Sequence, residues 1–109
     1  MKTWQIHSFG KLEQVERPAL SLESHQVRLR IRAVSLNYRD HLMLLGQYNP
    51  KQPLPLVPCS DGSGEVVEIG SAVKDWKVGD RVCPIFSQSW ISGPPNRERI
   101  AQTLGGPLD

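Results

Sequence analysis

The segment "QVRLRIRAV" alternates strictly. Val27, Leu29, Ile31 and Ala33 fall on one side of an extended chain, and Arg28, Arg30 and Arg32 on the other. A period of two predicts a strand with one face in a core and one in water. The arginine row is expected to be a solvated face that pairs with glutamates on neighbouring strands, not an anion-binding stripe. "KTWQIH" has strand composition, "SFGK" a turn, and "LEQVERP" a second short strand closed by Pro18. Further on, "GEVVEIG" and "RVCPIF" predict two more strands. The turn region "SAVKDWKVGD" between them is expected to bury Trp76.

The period changes at "AVSLNYRDHLMLLGQY". Asn37 is a good N-cap residue, and Asp40 follows three positions later, where a carboxylate suits the positive end of a helix. Tyr38, Leu42 and Leu45 recur at helical spacing, and Gly46 suits the position just past the last turn. One short helix of about two to three turns is predicted here. "NPKQPLPLVP" predicts an extended surface loop, and "NRERIAQ" a second short helix. The closing "LGGPLD" has the character of a chain interrupted in a loop.

Composition narrows the class. A chain of 109 residues supports one hydrophobic core. A formal net charge of +2 gives no case for nucleic acid or an anionic membrane as partner. No apolar run reaches the length of a bilayer span, and no apolar signal core follows Met1, so a cytoplasmic protein is expected. Cys59 and Cys83 are expected to be reduced thiols. Nine Pro and nine Gly break the chain into short pieces, which favours a mainly β fold.

The candidate chemistry is sparse. "GSGEVV" lacks the third glycine of a phosphate-binding loop, because Val67 occupies that place and a strand follows. His7, His25 and His41 lie far apart in the chain with no paired metal-ligand spacing. Asn37, Asp40 and Tyr48 form the best constellation. Residue types alone leave two readings open: a cap, a dipole partner and a packed ring, or a set of polar groups that contact a ligand.

The strand "GSGEVVEIG", the turn "VKDWKVGDRV" and the "NYRD" helix start together resemble the medium-chain dehydrogenase/reductase superfamily, over nearly the whole stretch from Met1 to Phe86. The resemblance implies a GroES-like, partly open β-barrel with one or two short helices, filling residues 1–109 as the N-terminal catalytic domain of a longer enzyme. A nucleotide-binding domain would follow it. Zinc-dependent alcohol dehydrogenases of the superfamily carry a ligating Cys where this chain has Asn37, and a Gly-His-Glu where it has "CSD", so that Ser60 stands for the ligand His. No cysteine lies near residues 90 to 107, where the structural-zinc loop would fall. The resemblance therefore implies the zinc-free quinone oxidoreductase-like branch, with NADPH or NADH as hydride donor to a carbonyl, enone or quinone. It implies Tyr48, Asn37 and Asp40 as catalytic residues, Asn37 and Asp40 also touching the cofactor, no metal ligand, and a homo-oligomer for the full-length protein. The fragment alone is expected to be inactive. Competing expectations are a zinc-type alcohol dehydrogenase and a stand-alone GroES-like binding or assembly module.

Overall fold

In the computed structural model, which describes residues 1–107, β1 (Lys2–Ser8) and β2 (Lys11–Glu16) form an antiparallel hairpin. Phe9 and Gly10 make its two-residue turn, and the positive φ of Gly10 (81°) is the backbone that such a turn needs. The free edge of β1 does not stay open. Ile6 N–H donates to the Leu56 carbonyl at 2.7 Å, and Leu56 N–H returns to Ile6 at 3.1 Å. The proline-rich loop is thereby pinned to the strand that its own prolines could not have extended. Ile6, Met43 and Leu56 are buried together, with Leu44 and Leu54 packed around them.

The second sheet has the order β3 (Val27–Ser35), β4 (Asp61–Ile69), β5 (Arg81–Val82), all antiparallel. As expected, the arginine row meets glutamates: Arg28 Nε lies 2.6 Å from Glu68 Oε2, and Arg32 Nη2 lies 3.0 Å from Glu65 Oε2. The pairing slips twice, between Arg28 and Leu29 and between Ile31 and Ala33. Such bulges bend a strand and sharpen its twist. β5 is shorter than "RVCPIF" suggests, and Pro84, which has no N–H to give a ladder, follows it closely.

Two helices complete the chain: α1 (Tyr38–Leu44) and α2 (Arg97–Ile100). Gly46, with φ of 70°, ends α1; Gly46 N–H reaches the Met43 carbonyl at 3.1 Å and Gln47 N–H the Leu42 carbonyl at 2.9 Å. That pair of bonds satisfies carbonyls the helix end leaves open. Asn96 caps α2 through its side chain, which accepts from Arg99 N–H at 2.8 Å.

The fold is mainly β with two short helices, and its two sheets are open and not closed into a barrel. Three local expectations change. Trp76 is 48% exposed, so the turn region does not bury it. Ile31 and Val34 on β3 are also half exposed, because nothing among the described residues covers that end of the open sheet. On α1 the buried residues are Asp40 and Met43, not the Tyr38–Leu42–Leu45 stripe: Tyr38 is exposed, and Met43 faces Ile6 and Leu56. Of the closing "LGGPLD", Leu108 and Asp109 lie outside the described residues, while Gly105 and Gly106 are buried against the domain.

Candidate functional site

The register of β3 on β4 builds the site. Ser35 pairs with Asp61, so the chain leaving β3 and the chain entering β4 lie side by side. Two residues past Ser35, Asn37 takes the N-cap position of α1 with an extended backbone. Its Nδ2 donates to Asp61 Oδ2 at 2.6 Å. A carboxylate only accepts, so this contact fixes which end of the Asn37 amide faces Asp61.

Asp40 is the reciprocal member of the capping pair. Its Oδ2 accepts from Asn37 N–H at 2.8 Å. The side chain is only 7% exposed, and Oδ1 is buried without a partner of hydrogen-bond geometry. The Cys59 thiol is near enough to feel it. Its pKa is raised, first by burial and then by the negative charge of Asp40. Cys59 itself sits at φ of 79°, a left-handed backbone on a non-glycine residue. The next residue, Ser60, is buried.

Tyr48 reaches this group through Arg39. The Arg39 guanidinium carbon lies 5.1 Å from the Tyr48 ring centroid and 5.2 Å from that of Phe86, both within cation–π range. Arg39 also donates to the carbonyls of Leu104 at 3.1 Å and Gly106 at 2.6 Å. The structure thus joins Asn37 and Asp40 directly at the helix start, and sets Tyr48 against the side chain of Arg39, the residue that precedes Asp40. Asp61 and Arg39 are not among the site residues that the sequence predicts. The signal for Asp61 was its place at the head of the glycine strand; Arg39 left none, since the carbonyls it bonds lie more than sixty positions downstream.

Among the described residues, no three His, Cys, Asp or Glu side chains gather to hold a metal ion. Gly62 and Gly64 lie inside β4, paired with Val34 and Ile31, and so form no phosphate loop. The candidate site residues are an amide and a carboxylate at a helix start, and a phenol whose ring is more than half exposed.

This open two-sheet β fold, with a short helix leaving β3 beside the start of β4, defines the class. The alcohol dehydrogenase GroES-like domain family matches residues 23–106, and the chain belongs to it. A zinc-type alcohol dehydrogenase-like protein of Schizosaccharomyces pombe is 35% identical over 107 residues, covering 96% of this chain and 31% of the relative. A chloroplastic NADPH-dependent alkenal/one oxidoreductase of Arabidopsis thaliana is 34% identical over 112 residues, covering 94% of this chain and 28% of the relative. The crystal structure of Escherichia coli quinone oxidoreductase complexed with NADPH superposes with a TM-score of 0.68 at 28% identity, over 76% of this chain and 26% of that one. The chain spans 26–31% of the length of these proteins. It is a member of an oxidoreductase family whose relatives include quinone oxidoreductases and alcohol dehydrogenases. Among the described residues, no helix is long and apolar enough to cross a membrane.

Proposed function

We propose that this chain is the N-terminal catalytic domain of a longer, zinc-independent, NAD(P)H-dependent oxidoreductase that reduces a quinone or an activated carbon–carbon double bond. The observation that carries the reading is the 2.6 Å hydrogen bond from Asn37 to Asp61. At the two positions equated with zinc ligands by family resemblance, this chain has that committed amide and the hydroxyl of Ser60. Neither is a usual zinc ligand, so the donor set does not fit the metal.

A nicotinamide cofactor, when bound, supplies the hydride. The residues here fit its reacting end only, because the glycines that could have held its phosphates are strand residues; a following nucleotide-binding domain is part of the proposal. Polar capacity at the helix start supports the fit: Asp40 Oδ1 is buried with no hydrogen bond of good geometry, and the Cys59 thiol lies near this carboxylate. When hydride reaches an enone or quinone, negative charge gathers on the acceptor oxygen. The Tyr48 hydroxyl, on a half-exposed ring, donates a hydrogen bond or proton to that oxygen. Asn37 and Asp40 orient cofactor or substrate groups at the helix start. The full-length protein is proposed to be a cytoplasmic homo-oligomer acting on small molecules.

The zinc-type alcohol dehydrogenase is the second reading, and the Schizosaccharomyces pombe relative favours it. The test uses the full-length protein after chelator dialysis, with NADPH, a para-quinone and an α,β-unsaturated ketone. The proposal expects NADPH-dependent reduction with far less than one zinc per chain. Activity lost on chelation and restored by zinc would establish the second reading instead.

A further inference from the structure

We infer that Arg39 is a positioning residue of this site: its guanidinium fixes the Tyr48 ring and so sets where the phenol hydroxyl points. The inference rests on the proposed role of Tyr48 and adds the part that holds it in place.

Tyr48 is only partly covered. Its ring is 56% exposed, and its backbone N–H makes a long contact of 3.3 Å to Leu42, just past the end of α1. A half-exposed tyrosine on such a segment would sample several side-chain rotamers. Arg39 restrains it. The guanidinium centre lies 5.1 Å from the ring centroid, and it is not itself free to follow the ring. Nη1 and Nη2 are tied to the Leu104 and Gly106 carbonyls, and the Phe86 ring lies 5.2 Å from the same guanidinium centre. Those anchors are fixed in turn, since Leu104 N–H donates to the Phe86 carbonyl at 3.1 Å. The restraint on Tyr48 is therefore carried by chain that comes 38 or more positions later, starting at Phe86. A lysine at position 39 would keep the charge but lose the planar fork that grips two carbonyls while stacking on rings.

The experiment is a double-mutant cycle in the full-length protein, with NADPH and both acceptors. Arg39→Lys is expected to lower kcat about ten- to a hundredfold while leaving KM unchanged, the signature of a misplaced group and not of a lost binding contact. Phe86→Leu should move kcat the same way by less. In a Tyr48→Phe background, Arg39→Lys should cost nothing further, because the hydroxyl it positions is gone. If Tyr48→Phe lowers turnover but Arg39→Lys is silent, or costs the same factor in both backgrounds, the inference falls and the role of Tyr48 stands. If Tyr48→Phe is itself silent, both fall. Should Arg39→Lys fail to fold, proton NMR decides: ring-current shifts on the Arg39 side-chain protons that shrink in Tyr48→Leu to the part due to Phe86 support the clamp, and shifts unchanged by that substitution overturn it.

Discussion

Asn37 Nδ2 lies 2.6 Å from Asp61 Oδ2, joining the first turn of α1 to the first residue of β4 across 24 positions of sequence. The contact ties the residue at the N-cap position of a helix to the mouth of a strand pair: the Asn37 side chain bonds Asp61, and its backbone N–H is held by Asp40.

Asn37→Ala should therefore destabilise the fold. The loss should stay below the roughly 1 kcal/mol of a fully bonded N-cap, because the Asn37 side chain bonds Asp61 and not the helix, and that exposed bond adds little in water. Asn37→Asp should be worse at neutral pH, since it sets a second carboxylate against Asp61. Unlike the alanine change, it should recover on acidification as one of the two carboxylates takes up a proton. Urea unfolding of both variants at pH 7 and pH 4 checks the ordering.

The Cys59 thiol supplies a pH dependence. Burial and then Asp40 raise its folded pKa above the ordinary value. An ionising thiol whose pKa is higher when folded is taken out of water more easily when neutral. Its contribution is complete below the unfolded pKa of about 8.5 and is lost as pH rises through the folded value. Above about pH 8.5 stability should fall more steeply in the natural chain than in Cys59→Ala. Equal slopes would show that the thiol is not held as described.

Two glycines separate strain from crowding. Gly10 and Gly105 both have positive φ, 81° and 70°. A Cβ on Gly10 would meet nothing within 4 Å, whereas one on Gly105 would lie 2.6 Å from the Cys59 carbonyl oxygen. Gly10→Ala should cost about 1 kcal/mol from the left-handed backbone alone. Gly105→Ala should cost about 1–3 kcal/mol more, because backbone has to move. Thermal unfolding of the pair tests this, with equal losses counting against the close packing of Gly105 on Cys59.

Much of this fold is legible in local pattern. The β3 alternation, the glycine that ends α1 and the Asn96 cap each depend on residues a few positions apart. The exceptions share a cause. Period two told Ile31 from Arg30 but could not tell whether any layer covers the apolar face, and here the end of the sheet is open. Trp76 was expected inside for its size, yet size does not supply neighbours. At the site, Asn37 and Asp40 announce themselves because a capping pair is local. Arg39 does not, since its carbonyl partners lie 65 and 67 positions away. The left-handed backbone of Cys59 is equally silent, because nothing about a cysteine favours it.

By itself this chain should not bind the dinucleotide. Gly62 and Gly64 are in the middle of β4, with no helix N-terminus after them to receive a pyrophosphate. Calorimetric titration of the chain with NADPH should stay flat to about millimolar concentration, the affinity scale of a site without its main contacts. Micromolar binding would mean that residues other than those proposed hold the cofactor.

The most direct test of the central claim is the steady-state turnover of Tyr48→Phe in the full-length protein, measured with a para-quinone and with an enone alongside thermal unfolding. The change removes one hydroxyl from a ring that is 56% exposed, so the melting temperature should not move. Turnover should fall roughly ten- to a thousandfold, as expected when one placed donor or acid is lost. Wild-type turnover with an unchanged melting temperature would contradict the account: Tyr48 would be scaffolding, and the polar helix start would not be the catalytic wall of this domain.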